Sequence, residues 1–423
     1  MVLDGFQRRV WNNGLVLLTC QNDRLPVVSV NAFVLAGTDQ NPLRQPGLAA
    51  LASRMLEEGT AKYRADDISR LVEDAGGNLS TCCQHELTGI SLHLRDRDLP
   101  EGLDLAAQMV SRPTFPRQRF GLEREKALTR LEALEDDPQV VVSNLLNREI
   151  YRGGPLQFPG LGTPASLRRL QIEDIREFHR LRYAPENTVV VVVGNAGHAQ
   201  VADLVDRRLG SWRNGRFRKS RPPVPRRQRA PRVRQRVLEG REQVHVCLGH
   251  LGVTRDHPDF YALQVMDAVL GSGPGFTSRI PRELRDRRGL AYATYSDLTG
   301  SAGRYPGRFL AYICTSPSNR DAAVSGLMEE IESLIEDGPT EEELELARNY
   351  LTGSFVFGFQ SNAHVARFLL TAERFGLDPD FIRRYPDWIR AVDAEEVRRV
   401  ARRHLDTVNF TTIIAGPEYA STR

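Results

Sequence analysis

The chain has 423 residues, of which 41% are hydrophobic and 26% charged, and its formal net charge is +3. This length is too great for one core, so a soluble protein of two domains is expected. No apolar run reaches the roughly 18 to 20 residues of a membrane span. The first residues include an acid, Asp4, and no signal-peptide core, so a cytoplasmic location is expected.

The five cysteines are scattered along the chain and form no Cys-x-x-Cys pair. Neither a disulfide framework nor a zinc knuckle is therefore indicated, and buried free thiols are expected. The sequence offers no explanation for the adjacent pair Cys82 and Cys83.

In chain order, the first elements are two stretches of alternating apolar residues, near residues 10–20 and 27–37, which predict strands. The stretch PGLAALASRMLEEGT, Pro46 to Thr60, follows with the apolar spacing of an amphipathic helix. The opposite face of this helix carries Ala50, Ser53, Arg54 and Glu57. Helices bind metals with this spacing, yet Ala and Arg have no atom that binds a metal.

The next elements alternate between helix and strand, which favours an α+β fold. They comprise a helix around Asp67–Ala75, a strand ending at Arg95, and helices over Leu103–Val110 and Arg117–Leu134. The second half opens with the strand-like QVHVCLGHLG, the helix-like PDFYALQVMDAVLG and a Gly-rich turn. His245 and Cys247 share one face of that strand and His250 lies on the other, which indicates packing rather than a metal site.

Between the halves, residues 213–236 carry eleven basic residues and no acid, so the rest of the chain has a net charge of about −8. Four prolines, at positions 222, 223, 225 and 231, disfavour a helix or a central strand. A partly extended, solvated linker is therefore predicted. Nucleic-acid binding is not expected, because Phe217 is the one aromatic residue in the segment and no nucleic-acid-binding motif follows it.

The two halves repeat each other at a constant offset of 222 residues. The segments from Ile172 and from Ala394 align without a gap, with the pairs Glu173/Glu395, Arg176/Arg398, Arg180/Arg402, Asn187/Asn409 and Gly194/Gly416. This period is far too long for a solenoid, so an internal duplication of one domain is predicted. The predicted domains are residues 1–212 and 237–423, joined by the linker 213–236.

The order of segments resembles that of the pitrilysin and mitochondrial-processing-peptidase family of metallopeptidases, the inverzincins, over nearly the whole chain. That family's first helix reads G-x-A-H-x-x-E-H-M-x-F-x-G-T, where this chain has GLAALASRMLEEGT. The resemblance puts Ala50 and Arg54 at the zinc-binding His positions and Ser53 at the catalytic Glu. The stretch EREKALTRLEALEDDP puts Arg130 at the third ligand and keeps a supporting Glu at Glu123. It implies a metallopeptidase-like (LuxS/MPP-like) α+β fold for each domain.

These departures remove the chemistry of the zinc site. A catalytic zinc needs about three protein ligands and an open position for water, and a nearby Glu acts as general base. Ala50 has no lone pair to offer, and Arg54 and Arg130 carry permanent positive charges that repel Zn²⁺. No metal and no hydrolysis are therefore expected from this chain alone.

The second half keeps another element of the family. LGSGPGFTSRIPRELRDRRGLAYATYS resembles L-G-G-G-M-S-S-R-L-F-x-x-L-R-E-x-x-G-L-A-Y, and Arg285 and Tyr292 match its Arg/Tyr pair. In the family this pair reaches the zinc centre of the opposite half or of a partner subunit. Without the resemblance, Arg285 reads as a solvated helix-end residue and Tyr292 as strand packing. The turn with Gly271, Ser272, Gly273 and Gly275 lacks the Lys-Ser/Thr of a phosphate-binding loop, so part of a substrate channel is implied instead.

The resemblance implies a non-catalytic subunit of a heteromeric zinc metallopeptidase. The expected partner is a homologous His-x-x-Glu-His subunit that holds the zinc, in a heterodimer or larger complex. The expected substrate is a peptide or an unfolded protein segment. Two alternatives are a structural scaffold without a role in proteolysis and a stand-alone module that binds acidic peptides through the basic linker.

Overall fold

The structure is a computed structural model, which describes residues 5–218, 223–275, 277–378 and 380–418. Its strands are β1 Phe6–Val10, β2 Val16–Gln21, β3 Val27–Val34, β4 Asn78–Cys83, β5 Thr88–Arg95, β6 Thr188–Gly194, β7 Arg232–Val237, β8 Val244–Leu251, β9 Ala293–Asp297, β10 Arg308–Thr315 and β11 Thr411–Gly416. In the described part of the chain, no helix combines the length and apolar character needed to cross a membrane.

The α-helices are α1 Leu48–Arg54, α2 Ala65–Asp74, α3 Leu99–Ser111, α4 Arg117–Glu135, α5 Pro138–Ile150, α6 Pro164–Arg169, α7 Ile172–Arg182, α8 His198–Val205, α9 Phe260–Asp267, α10 Arg320–Asp337, α11 Glu341–Phe357, α12 Asn362–Phe375, α13 Phe381–Ala391 and α14 Ala394–His404. A wide π-type segment extends α9 over Ala268–Ser272, and another spans Pro281–Arg287. The helix predicted from Pro46 becomes a 3-10 turn at Met55–Glu58.

The chain forms two compact α+β units. The described residues of Met1–Glu132, Phe158–Pro222 and Gly358–Leu377 form the first unit. Its six-stranded sheet has the order β1-β2-β6-β3-β5-β4, in which β2 and β6 are parallel and the other neighbours antiparallel. Helices α1, α3 and α7 share the large core on one face of this sheet. Helix α12 covers the other face, where Val365, Leu369 and Leu370 pack against Val191 of β6.

The second unit consists of the described residues of Ala133–Gln157, Pro223–Phe357 and Asp378–Arg423. Its five-stranded sheet has the order β7-β11-β8-β10-β9, with β7 and β11 parallel. Helix α5 covers one face, where Val142, Leu146 and Ile150 pack against Cys247 and Ile413. The fold of both units agrees with the predicted α+β class.

The duplication is visible in the strands and helices. Helices α7 and α14 have the same length and begin 222 residues apart, and β6 and β11 lie at corresponding places in the two sheets. The units nevertheless do not follow the predicted domain boundaries. Helix α5 from the first half packs in the second unit, and α12 from the second half packs in the first.

The predicted linker also differs in part from the structure. Residues 232–236 belong to β7, which pairs with β11 and completes the sheet of the second unit. The four prolines of the segment all precede β7, so the strand lacks no main-chain donor, and as an edge strand it remains exposed. Residues 219–222 of the linker lie outside the described residues.

Candidate functional site

Helix α1 is the helix for which the sequence predicts a degenerate zinc-binding motif. Its first turn is held by Asn41, whose Oδ1 accepts a hydrogen bond from the Ala49 N–H at 2.8 Å. Gly47 precedes the helix at φ 90°, and a Cβ there would lie 2.4 Å from the carbonyl oxygen of Leu161. Only glycine fits this close approach, and it sets the angle at which α1 enters the core.

Two of the predicted zinc-site positions point into the protein and offer nothing to a metal. Ala50 is buried, and its methyl group has no atom that could bind a metal. Ser53 is also buried, and its Oγ donates a hydrogen bond to the carbonyl oxygen of Cys82 at 3.0 Å. The hydroxyl therefore holds α1 to β4, and no general base stands at this position.

Arg54, at the predicted second His position, carries a fixed positive charge. Its Nε lies 3.7 Å from Oε2 of Glu123, a carboxylate whose side chain is 3% exposed. Its Nη1 lies 3.5 Å from Glu57 Oε1 and 3.5 Å from Thr81 Oγ1, and Thr81 itself donates to Glu57 at 2.6 Å. The guanidinium thus pairs with the acids of this pocket, where a divalent cation would otherwise be attracted.

The remaining charges of this pocket are balanced by other cations. Lys126 Nζ donates to the second oxygen of Glu123 at 2.6 Å. Glu58 lies 3.4 Å from the Nε of Arg119, and burial together with the nearby Glu123 raises the pKa of Glu58. Arg130, at the predicted third-ligand position, is exposed on α4. The residues present therefore do not fit a zinc ion, because donors are missing and cations already face the acids.

In the second unit, Arg285 and Tyr292 are both at the surface. Arg285 lies in the π-type segment, and its carbonyl oxygen accepts a hydrogen bond from Gly289 N–H at 3.2 Å. The Tyr292 side chain is 59% exposed, and its N–H donates to the carbonyl oxygen of Cys314 at 2.9 Å, just before β9 begins. The main chain at both positions is hydrogen-bonded, and both residues are exposed.

A buried ion-pair network supports the segment that carries Arg285. Arg279 donates to Glu343 from Nε at 3.0 Å and from Nη2 at 2.8 Å, and Arg282 donates to the same carboxylate at 2.7 Å. Burial acts to raise the pKa of Glu343, but the hydrogen bonds from Arg279 and Arg282 outweigh it and lower the pKa to about 2. The segment is thereby anchored to the start of α11.

The Gly-rich turn packs against β9 and does not form an open cradle. A Cβ on Gly271 would lie 2.6 Å from the main-chain nitrogen of Ser296, so the two backbones need glycine here. Gly273 approaches the carbonyl oxygen of Ala268 in the same way, while Ser272 and Gly275 are exposed. The turn therefore positions β9, and Tyr292 directly precedes that strand.

Asp267 joins the end of α9 to β9 by hydrogen bonds and was not identified from the sequence. It is buried at the end of α9, where it accepts hydrogen bonds from Ser296 Oγ at 2.5 Å and from Leu298 N–H at 3.1 Å. Burial raises its pKa to about 6 despite these hydrogen bonds. No local pattern marks the residue, since its partners lie about 30 positions further along the chain.

One cluster of potential metal ligands, His257, Asp259 and His404, was also missed because residue 404 is remote from the others in sequence. His404 Nε2 lies 2.6 Å from Asp259 Oδ2, and Arg399 Nη2 lies 2.7 Å from Asp259 Oδ1. Burial acts to raise the pKa of Asp259, but the hydrogen bonds from Arg399 and His404 lower it to about 2. With Arg403 also 3.6 Å away, this carboxylate is an ion-pair centre that joins α9 to α14.

The sequence predicts that the histidines and the cysteine of β8 are packing residues, and their contacts in the structure agree with this. His245 Nδ1 is 2.8 Å from the Tyr312 hydroxyl, and His250 Nε2 accepts a hydrogen bond from Asp406 N–H at 3.2 Å. All five cysteines are free thiols, of which Cys20, Cys247 and Cys314 are buried and Cys82 and Cys83 partly exposed.

Comparison with known proteins identifies the family. Residues 16–164 match the model described as insulinase (peptidase family M16), and residues 169–351 match that of the peptidase M16 inactive domain. An uncharacterized zinc protease of Mycobacterium leprae is 30% identical over 99% of this chain and 93% of its own length.

Two solved structures have the same fold. A peptidase M16 inactive domain from Pseudomonas fluorescens matches with a TM-score of 0.90 and 24% identity, covering 99% of this chain and 100% of its own. A chain of complex III2 from Candida albicans matches with a TM-score of 0.82 and 18% identity, covering 97% of this chain and 95% of its own. At these identities the two structures show the fold alone.

Proposed function

Because the chain belongs to the M16 peptidase family, we propose that it is a non-catalytic subunit of a heteromeric zinc metallopeptidase and completes the active site of a zinc-binding partner. The observation that carries the proposal is the pairing of Arg54 with the buried Glu123. This pairing supports the proposal because it puts a fixed cation at the predicted zinc site, and Arg285 and Tyr292 of the second unit are both exposed.

In this proposal the zinc and the general base belong to a homologous His-x-x-Glu-His subunit. Tyr292 donates its phenolic hydrogen to the oxyanion that develops when the peptide carbonyl is attacked. Arg285 binds the substrate carbonyl or orients the phenol. One such donor contributes on the order of 3 kcal/mol to the transition state, so its loss lowers the turnover of the complex by about 100-fold.

The proposed substrate is an extended peptide or an unfolded protein segment. The edge strand β4 of the first unit offers main-chain groups with which an extended chain can pair. Such pairing is independent of side-chain identity, so sequence preference would come from the partner's catalytic pocket. The turn with Gly271, Ser272, Gly273 and Gly275 would border the channel next to Tyr292.

The test is reconstitution with a His-x-x-Glu-His partner chain and a quenched fluorescent peptide. We expect the purified chain to contain no stoichiometric zinc and to cleave nothing alone, and the mixture to cleave the peptide. Arg285→Ala and Tyr292→Phe should reduce cleavage by the complex without weakening its assembly, while Tyr350→Phe, another exposed tyrosine, serves as control. Stoichiometric zinc and cleavage by the lone chain would contradict the proposal.

The second candidate function is a structural scaffold, and the ion pairing of Glu123 with Arg54 and Lys126 at the predicted zinc site is equally compatible with it. A scaffold needs the fold and its surfaces but not the Arg/Tyr pair. The scaffold function predicts that the chain forms a stable complex with the partner. It also predicts that Arg285→Ala and Tyr292→Phe leave the peptidase activity of this complex unchanged, whether the complex is active or inactive. The same reconstitution therefore separates the two functions.

A further inference from the structure

The two sheets differ at one edge, although the units are duplicates. In the first sheet β2 runs parallel to β6, and in the second β7 runs parallel to β11. Val16 pairs with Val189 and Arg232 pairs with Thr411, and Val189 and Thr411 are equivalent at the offset of 222. Strand β7 is therefore the counterpart of β2.

In the described part of the chain, the second sheet has no counterpart of β1. In the first unit β1 pairs antiparallel with β2, from Phe6 opposite Cys20 to Val10 opposite Val16. The equivalent positions in β7 are residues 232–236. Within the described part of the chain, β7 is the last strand of its sheet, and no strand takes the place of β1.

The main chain of β7 presents alternate residues to the open side. The Arg232 N–H donates a hydrogen bond to the Phe410 carbonyl oxygen, and the Leu238 N–H donates one to the Gly416 carbonyl oxygen. The even-numbered residues of β7 therefore direct their main-chain N–H and C=O groups toward β11. The main-chain N–H and C=O groups of Val233, Gln235 and Val237 therefore point away from β11, toward the open side. Arg234 Nη1 covers the Val233 carbonyl oxygen at 3.1 Å, a surface contact that an incoming strand can replace.

The charged residues around the outer edge of β7 are mainly arginines, which favours an acidic partner. Arg232 and Arg234 contact the buried Glu149 through ion pairs of 3.5 and 2.9 Å, while Arg236 is exposed. Exposed arginines at 226, 227 and 229 precede the strand, and the first acid after it is Glu239. The opposite face of β7 carries Val233 and Val237, each 55% exposed. A second copy of β7 would bring like charges together, which disfavours self-pairing.

We propose that the outer edge of β7 is a docking site for an extended, alternating acidic and apolar segment of a partner protein, which adds to the sheet as an antiparallel sixth strand. The segment would repeat the pairing of β1 with β2. Its carboxylates would face Arg232, Arg234 and Arg236, and its apolar side chains would cover Val233 and Val237. Exposed strand edges of this kind are commonly used for strand addition.

The experiment measures binding of a fluorescent nine-residue peptide of alternating Val and Glu to the full chain. We expect binding that weakens as salt rises and a Val/Lys peptide that does not bind. Gln235→Pro removes one outward N–H, so it should weaken binding of the peptide at least tenfold. The variant should still fold, because proline is tolerated on edge strands. Arg236→Glu should weaken it similarly, while the control Arg229→Glu, before the strand, changes it less than twofold.

Several results would overturn the proposal. These are no saturable binding, equal binding of the Val/Lys peptide, or equal losses in the Arg229 and Arg236 variants. Self-association abolished by Gln235→Pro would identify a second copy as the occupant and contradict an acidic partner. Unfolding midpoints show whether Gln235→Pro still folds, and Arg236→Glu carries the test if it does not. None of these readouts uses peptidase activity, so the result is independent of the proposed function.

Discussion

Arg54 and Glu123 form an ion pair with 3.7 Å between Nε and Oε2, in the pocket that the sequence predicts to be a degenerate zinc site. The guanidinium gives the buried carboxylate a permanent counter-charge. Lys126 pairs with the other oxygen of Glu123, so this buried acid has two cations beside it.

We predict that Arg54→Met lowers the free energy of unfolding by about 1–2 kcal/mol, because a buried carboxylate loses one of its two cations. Lys126 remains bound to Glu123 and limits the effect. The measurement is urea denaturation. The control Arg130→Met, at an exposed position of α4, should stay within about 0.5 kcal/mol of the wild type.

We predict that four substitutions together, Ala50→His, Ser53→Glu, Arg54→His and Arg130→Glu, create a zinc site, because they supply three ligands and a base at helix positions with suitable spacing. Metal analysis after dialysis should find about one zinc per chain. Variants that retain Arg54 should bind none, because a fixed cation stays in the pocket. A folded quadruple variant without zinc would show that the positions are assigned incorrectly.

We predict that Gly271→Ala destabilises the chain by about 2 kcal/mol or more, because its methyl group would lie 2.6 Å from the main chain of Ser296. The shift of β9 should also reduce activity of the reconstituted complex through Tyr292. The control is Gly353→Ala in α11, where nothing lies within 4 Å. There alanine should stabilise the helix by about 0.5–1 kcal/mol.

We predict that Asp267 makes the chain less stable as pH rises. Burial raises its pKa from 3.8 to about 6, so the folded state binds a proton that the unfolded state has already released between these values. The stabilisation that protonated Asp267 gives the folded state is fully present below about pH 4. It is lost by about pH 6, and the free energy of unfolding falls over this range by about 3 kcal/mol at most.

The comparison with Asp267→Asn isolates this effect, because Asp39 has a similar pKa, also raised to about 6 by burial. The stability of the wild type relative to the variant should fall between pH 4 and pH 7 in denaturation experiments. A rise of the wild type relative to the variant over this range would contradict the assignment.

Periodicity and repetition sufficed to predict much of the fold. The alternating stretches became β2, β3 and β8, and the offset of 222 predicted the equivalence of α7 with α14 and of β6 with β11. Local hydrogen bonding and side-chain alternation decide these elements, so their sequence patterns are local too. The predicted absence of zinc ligands rests likewise on residue type, at the positions that the resemblance assigns.

Only the tertiary structure decided which sheet each helix covers. The apolar faces of α5 and α12 fit either sheet equally well by pattern, and each packs in the unit formed mainly by the other half of the chain. Burial and charge pairing between distant residues also required the fold, as in Arg54 with Glu123 and Asp267 with Ser296. The family and the duplication could be predicted from the sequence by itself, because they depend on residue identity and order. The open edge of β7 and the compensated pocket depend on which distant segments meet, and that is decided by packing.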